Sequence, residues 1–535
     1  MDTQQLLLLA VLVVLPLAVL LLARRHGRGK KTGARLPPGP PSVPVLGNLL
    51  WLTHSSSDIE PLLRRLVERY GPVVSLRMGS RLLIFVADRR LAHAALVGSG
   101  AALADRPSLT RGLLGENDNT ISRSSYGPTW RLLRRNMVAE TLHPSRVRLF
   151  SPARAWVRRV LVDKLREAGD PLGNGAVVME AFRYAMFCLL VLMCFGERLD
   201  EPAVRAIAAA QRDWLAFVAK NPSVFAFWPA LTRRLFRRRL QAGLDARRRQ
   251  KELFVPLIND RRDRKKQLSE SAAAAATAAT KKDTTFEHAY VDTLLDLRLP
   301  NEEDGHDRAL TDDEMANLCS EFLTAGTDTT STALQWIMAE LVKNPSIQAK
   351  LHAEIESTCN NDDDHDEVTE DDTHAMPYLK AVVLEGLRRH PPAHFLLTHK
   401  AGEDVEVGGY TIPKGAAVNF TVAEMGWDAR EWDRPMEFVP ERFLPGGEGD
   451  GVDVTGSREI RMMPFGAGRR ICAGLGVAML HLEYFVANLV REFEWKEVPG
   501  HEVDLTETQE FTTVMKKPLR PILVPRRNQT TPTPH

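Results

Sequence analysis

The stretch Pro464-Phe465-Gly466-Ala467-Gly468-Arg469-Arg470-Ile471-Cys472-Ala473-Gly474 puts one cysteine among three glycines, directly before the apolar run 475–490. This spacing predicts a tight loop at a helix entrance, where unpaired backbone amides and neighbouring arginines favour a thiolate at Cys472. The chain's 5 cysteines are scattered and show no paired ligand spacing. A disulfide scaffold, a structural zinc site and a protein-held iron–sulfur cluster are therefore poor readings. A thiolate without a partner cysteine suits either nucleophilic catalysis or one axial bond to the metal of a cofactor. Glycine at three nearby positions would let a flat macrocycle approach the backbone. A dinucleotide loop does not fit, because Gly466-x-Gly468 is not followed by glycine at 471 and no clear strand feeds it.

At 535 residues and 44% hydrophobic, the chain can bury large cores, and length alone suggests three or four domains. The formal net charge of +2 gives no electrostatic case for nucleic acid. Residues 6–23 are 18 consecutive apolar positions followed by Arg24, Arg25, Arg28, Lys30, Lys31 and Arg35. As a helix they would be about 27 Å long, enough to span a thin bilayer, with the basic flank in the cytosol. No positive charge precedes the run and it ends in arginines, so a signal anchor fits better than a cleaved leader. Leu36-Pro37-Pro38-Gly39-Pro40-Pro41 cannot continue a helix and predicts a stiff connector. Beyond it, 73–78 and 82–86 predict a β-hairpin around Gly79. The stretches 154–168 and 231–257 predict amphipathic helices. Segments 261–282 and 360–374 look like linkers or loops, the latter holding 8 acidic residues.

A long helix is predicted over 311–344, opened by a Thr311-x-x-Glu314 capping box and closed by Asn344-Pro345. Such a length must cross the middle of a large domain. Within it, Ala325-Gly326-Thr327-Asp328-Thr329-Thr330 is unusually small and polar, at a cost in helix propensity of ~1 kcal/mol for the glycine. Either it forms a groove beside something bulky, or its small residues let another helix pack closely. In the predicted helix 378–389, Glu385 and Arg388 share a face amid Val382, Val383, Leu384 and Leu387. A buried pair there needs a further basic partner, for which Arg442 is the candidate. The His390, His394 and His399 spacing invites a zinc reading, but Pro391-Pro392 break the helix between the first two.

Phe465-x-x-Gly468-x-Arg470-x-Cys472-x-Gly474 resembles, position for position, the haem-binding signature of the cytochrome P450 family. Ala325-Gly326-x-Asp328-Thr329, Glu385-x-x-Arg388 and Pro440-Glu441-Arg442-Phe443 stand in that family's order. Trp130-x-x-x-Arg134 resembles its propionate-binding helix, and the anchor with its proline hinge is similar to microsomal plant members. The resemblance implies a mainly α fold with a small β lobe, the cytochrome P450 fold, preceded by one N-terminal transmembrane helix. It replaces the length-based count with an anchor (1–23), a basic and proline-rich hinge (24–41), one catalytic domain (42–527) and a polar tail (528–535).

The same resemblance implies haem b, iron protoporphyrin IX, as cofactor, with Cys472 as the metal ligand. Phe465, Gly468 and Gly474 would shape the cysteine loop, and Trp130, Arg134, His399 and Arg470 would hold the propionates. Asp328 and Thr329 would be the catalytic pair, with Ala325 and Gly326 leaving room for O2. Glu385, Arg388 and Arg442 would form a buried network behind the loop. Two departures are Thr398, where relatives usually carry proline before the histidine or arginine, and Gly426-Trp427-Asp428, where they often carry Arg-Asp.

The implied activity is insertion of one oxygen atom from O2 into a hydrophobic small molecule. Electrons would come from an NADPH-dependent cytochrome P450 reductase, with cytochrome b5 a second candidate donor. Arg131 and Arg135 are candidates for docking the reductase. The implied location is the endoplasmic reticulum membrane, single-pass, with the catalytic domain on the cytosolic side and no nucleic-acid partner. Alternatives are an isomerase or dehydratase of the same family, against which the Asp328-Thr329 pair argues, and a non-catalytic haem sensor or carrier. Segments 120–123, 214–227, 322–325, 394–397 and 512–515 are expected to line the substrate site, and their apolar character suits a hydrophobic or amphipathic ligand.

Overall fold

The short apolar runs at 73–78 and 82–86 build a hairpin: β1 (Val73–Met78) pairs antiparallel with β2 (Arg81–Val86), from Val73 opposite Val86 to Met78 opposite Arg81. In the computed structural model, residues 35–42, 47–48, 59–78, 81–107, 119–168, 175–220, 233–272, 286–300, 306–359 and 367–526 are described. The apolar run 6–23, the basic hinge residues 24–34, the turn around Gly79, residues 221–227, 273–282 and 360–366, and the tail 528–535 lie outside them, while 261–272, expected as a linker or loop, continue the helix Arg237–Ala272. Among the described residues, no helix is long and apolar enough to cross a membrane.

The chain divides into two units. The first comprises Met1–Pro107, Phe395–Met425 and Thr455–Arg470. Its sheet adds β3 (His399–Lys400) and β4 (Ala417–Phe420) to the hairpin in the order β1-β2-β4-β3, with β4 parallel to β2 and antiparallel to β3. The two-residue period of a strand sends Val74, Leu76 and Phe85 to one face. There they meet Leu62, Leu63 and Leu66 of helix α1 (Ile59–Tyr70). Val73, Ile84 and Val86 go to the other face, where Leu96, Val418, Phe420 and Met463 complete a second core.

The second unit comprises Ser108–His394, Gly426–Val454 and Ile471–His535 and is mainly helical. Its principal helices are α2 (Pro128–Asn136), α3 (Ser151–Ala168), α4 (Met179–Phe195), α5 (Glu201–Lys220), α6 (Arg237–Ala272), α7 (Asp312–Lys343), α8 (Pro377–Arg389) and α9 (Leu475–Glu492). The 32-residue α7 is the axis, packed by α4, α6, α8 and α9. Its start is held by the reciprocal Thr311–Glu314 box, reinforced by Arg308, which donates to both Glu314 oxygens at 2.7 Å. Apolar nearly all round, α4 is buried on almost every side, as such a helix must be.

The small patch of α7 does two jobs. A side chain at Gly326 would put its first carbon 2.8 Å from Leu190 Cδ1, so this glycine permits the close approach of α4. The side of Gly326 on which a side chain would stand is occupied by Leu190. Ala325, by contrast, is exposed. A similar approach joins α7 to α8, where a carbon added at Gly386 would lie 2.4 Å from Ile337 Cγ1.

Candidate cofactor and oxygen-activation site

The glycine-rich loop owes its shape to left-handed backbone. Gly466 and Gly468 both have φ +70°, a region that side-chain-bearing residues adopt at a cost. A carbon added at Gly468 would lie 2.0 Å from the Leu96 carbonyl oxygen, so backbone meets backbone there. Phe465 is half-buried beside them. In the same unit, Arg470 Nε donates to Ala104 O at 2.7 Å. Arg106, which sequence reasoning missed, donates to Leu397 O at 2.6 Å and Thr398 O at 3.1 Å.

His399 is buried, and its Nδ1 lies 2.7 Å from Leu103 O. Burial, helped by the charges of Arg106 and Arg470, pushes its pKa down to about 3. A neutral ring facing a carbonyl must donate from Nδ1, which leaves Nε2 as an acceptor. His399 is therefore a tethered neutral ring, and the cationic groups beside it are Arg106 and Arg470.

Cys472 lies in the second unit, two residues before α9, whose N-cap is Gly474. The Gly474 amide donates to the sulfur and Arg134 stands near it, both favouring the thiolate. Burial nevertheless dominates and pushes the Cys472 thiol up. The low pKa anticipated from the loop is thus corrected: the sulfur has accessible surface, yet the protein packed around it makes a bare anion costly. A bound metal ion removes that cost, since coordination displaces the thiol proton.

Arg134 on α2 is half-buried, and desolvation lowers its pKa. Among the described residues no carboxylate pairs with it. A desolvated cation beside an accessible sulfur fits a cofactor that carries both a metal and acidic side groups. Trp130 is buried one turn earlier, and its indole N–H donates to Ile121 O at 2.9 Å. Through this bond Trp130 orients the helix that carries Arg134. Sequence reasoning also missed Glu321 of α7, whose oxygens accept the amides of Ile121 at 2.7 Å and Ser122 at 2.6 Å. The path α7–Glu321–Ile121–Trp130 thereby places α2 and Arg134.

Asp328 and Thr329 are neighbours on α7 but point differently. Thr329 Oγ1 donates to Ala325 O at 2.6 Å, keeping its lone pairs outward. Asp328 Oδ1 is 3.4 Å from Arg183 Nε of α4 and lines a cavity of about 420 Å³ with Arg183, Gln211, Arg212 and Thr324. Burial pushes the Asp328 carboxyl up, against the opposing pull of Arg183.

Behind α8, Glu385 accepts from Arg388 Nε at 2.6 Å and Nη2 at 2.8 Å, from Arg442 Nε at 3.3 Å and from the Val439 amide at 2.9 Å. Arg388 also donates to the carbonyls of Gly426, Pro435 and Glu437, while Arg442 pairs with Glu448. Glu385 is 0% and Arg388 1% exposed, so every charge in this group is answered by protein. Trp427 donates to Arg389 O at 2.9 Å, occupying the segment that departs from the usual Arg-Asp.

The cytochrome P450 sequence pattern matches residues 37–524. Cytochrome P450 89A9 of Arabidopsis thaliana is 45% identical over 501 residues, covering 92% of this chain and 94% of the relative. Flavonoid 3'-monooxygenase of the same plant is 30% identical over 521 residues, 96% of each chain. A zebrafish cytochrome P450 structure with progesterone superposes with a TM-score of 0.68 at 22% identity, over 88% of this chain and 99% of that one. Its agreement establishes the helix-rich fold with small sheets. The chain belongs to the cytochrome P450 family, as a plant oxidoreductase of the monooxygenase kind.

Proposed function

We propose that the chain is a haem-thiolate monooxygenase that inserts one oxygen atom of O2 into a hydrophobic small organic molecule, with electrons from an NADPH-dependent reductase. The observation that carries this reading is the accessible Cys472 sulfur at the entrance of α9, with the Gly474 amide and the carboxylate-free cation of Arg134 beside it. Cys472 would ligate the haem iron, and Arg134 with Arg470 would answer the propionates. The haem, when bound, supplies the activation of dioxygen, chemistry that no side chain carries. Asp328 would hold and release a proton on the cavity side of α7, and the Thr329 hydroxyl would hold a water through its outward lone pairs. The Glu385–Arg388–Arg442 group backs this machinery. Residues 6–23 anchor the chain in the endoplasmic reticulum membrane, residues 24–41 form the hinge, and 42–527 form the catalytic domain on the cytosolic side.

The decisive experiment is the reduced carbon-monoxide difference spectrum of wild type and Cys472→Ala. The thiolate-type Soret band is expected in the first and absent in the second. Its absence from wild type, or its survival in Cys472→Ala, would refute the reading.

Asp328→Asn separates catalysis from stability. Because the folded pKa of Asp328 is raised, its ionised form costs stability once the pH exceeds that value, and the cost vanishes in acid. At neutral pH the asparagine variant is therefore expected to melt at or above the wild-type temperature and to keep the carbon-monoxide spectrum. Reductase-driven turnover falls about a hundredfold or more. A lower melting temperature with unchanged turnover would count against the assignment.

Arg131 and Arg135 are both exposed on α2, where Arg131 also stacks over Tyr126 at 4.9 Å. As docking charges for an acidic reductase, their joint reversal to Glu should slow reductase-driven turnover about tenfold or more at low salt. Peroxide-driven turnover should barely change; equal losses in both assays would exclude docking.

A further inference from the structure

His390 ends α8 and is used by none of the chemistry above. Its ring is 1% exposed and lies parallel to Trp336 of α7, with 4.1 Å between centroids and 2° between planes. Nε2 is 2.8 Å from Glu340 Oε1 of α7, and Nδ1 is 3.2 Å from Glu507 Oε1 of the strand Glu507–Gln509. An ionised carboxylate only accepts hydrogen bonds, so each ring nitrogen facing one must carry a proton. A neutral imidazole has one such proton to give, whereas an imidazolium has two.

The surrounding charges agree. Facing the ring are Glu340 from α7, Glu507 from the strand, Arg389 from its own helix and His394 from the following loop, whose Nε2 is 3.4 Å from Glu507 Oε2. Arg389 acts on both carboxylates through charge alone, its Nε donating to Met436 O. A cationic His390 adds the second positive charge, where a neutral ring would leave an unbalanced anion in the interior. The parallel Trp336 face further favours a cation.

What the ring joins is specific. Strands Glu507–Gln509 and Thr513–Met515 form a hairpin. Trp336 Nε1 donates to Thr513 O at 2.9 Å, Thr332 and Thr512 hydroxyls meet at 2.8 Å, and the Thr513 amide donates to Pro392 O at 2.8 Å. His390 sits at the centre of these contacts, between the axis helix and the hairpin base.

We propose that His390 is a buried imidazolium clamp, the positioning residue that registers the 507–515 hairpin against α7 and so sets where residues 512–515 stand. Its consequence for substrate selection rests on the monooxygenase reading, in which 512–515 line the substrate site; the clamp itself does not. A ring with one bare nitrogen would lose one of the two carboxylate bonds and release the hairpin base.

The test uses the full-length protein in detergent micelles with 15N-labelled histidine rings, His390 being assigned by loss of its signals in His390→Gln. At neutral pH, two protonated ring nitrogens of imidazolium type are expected for His390. In His390→Gln, hydrogen exchange of the 507–515 amides should rise about tenfold beyond that of the rest of the chain, the scale of one lost charged hydrogen bond. A ring with one bare nitrogen at neutral pH, or unchanged exchange of these amides in His390→Gln, overturns the clamp. Should His390→Gln fail to fold, Glu507→Gln at the more exposed end replaces it: its ring should turn neutral at neutral pH, and unchanged imidazolium signals overturn the proposal. The carbon-monoxide spectrum of the same samples tests the haem separately, so a missing Soret band would sink the monooxygenase reading and leave the ring result standing.

Discussion

Glu385→Ala is expected to destabilise the chain by about 3–5 kcal/mol, the scale of a buried ion pair broken from one side. Glu385 accepts from Arg388, Arg442 and the Val439 amide at once, so its removal strands the buried Arg388 guanidinium and leaves Arg442 with Glu448 as its carboxylate. Arg388 could not recover by turning to solvent, because its remaining donors are spent on the carbonyls of Gly426, Pro435 and Glu437. A loss of that size is a large part of an ordinary folding free energy of ~5–15 kcal/mol. Urea unfolding followed by tryptophan fluorescence should show the midpoint collapse, and haem should fail to be retained on purification. Glu385→Gln keeps the shape and part of the hydrogen bonding and should fall between. Wild-type stability in Glu385→Ala would mean that the charges are answered by solvent, contrary to their burial.

Gly468→Ala is the second large effect, and its cause is steric. At φ +70° the left-handed backbone alone costs about 1–2 kcal/mol with a side chain present. The added carbon would also stand 2.0 Å from the Leu96 carbonyl oxygen, and a backbone carbonyl has no rotamer through which to escape. Overpacking adds about 1–3 kcal/mol, and the strain falls on the loop that leads to Cys472. Loss of haem incorporation is therefore expected along with a lower melting temperature. Gly98→Ala, two residues from Leu96, is the control: nothing lies within 4 Å of its added carbon, so it should stay within about 0.5 kcal/mol of wild type. Equal behaviour of the two variants would dispose of the steric account.

The features legible in the sequence were those whose partners lie within a few residues. Thr311 and Glu314 close their box three residues apart, and α7 runs between them and Asn344 as the capping signals required. Strands β1 and β2 follow from two short β-like runs separated by a glycine. Glu385 and Arg388 share a helix face by spacing alone, and the apolar company of Glu385 pointed to burial and to a third partner, Arg442.

Other features depended on neighbours hundreds of residues away. Gly326 could serve a groove or a helix contact, and only the placement of Leu190 decided for the contact. The tethers of His399 to Leu103, Trp130 to Ile121, and Glu321 to Ile121 and Ser122 have no signature in local spacing. The Cys472 loop shows the division most clearly. Its local amides and arginines argued for a low thiol pKa, while the protein packed around it raises that pKa, because desolvation depends on everything that surrounds a group. By itself the sequence determined the β1–β2 hairpin, α7 with its Thr311–Glu314 cap, the Glu385–Arg388 pairing and the family, since these rest on short-range backbone preference and motif spacing. Tertiary structure alone decided which donors are already spent, which charges are desolvated and which small residues are filled by a neighbour, because hydrogen-bond saturation and burial exist only once distant segments have packed.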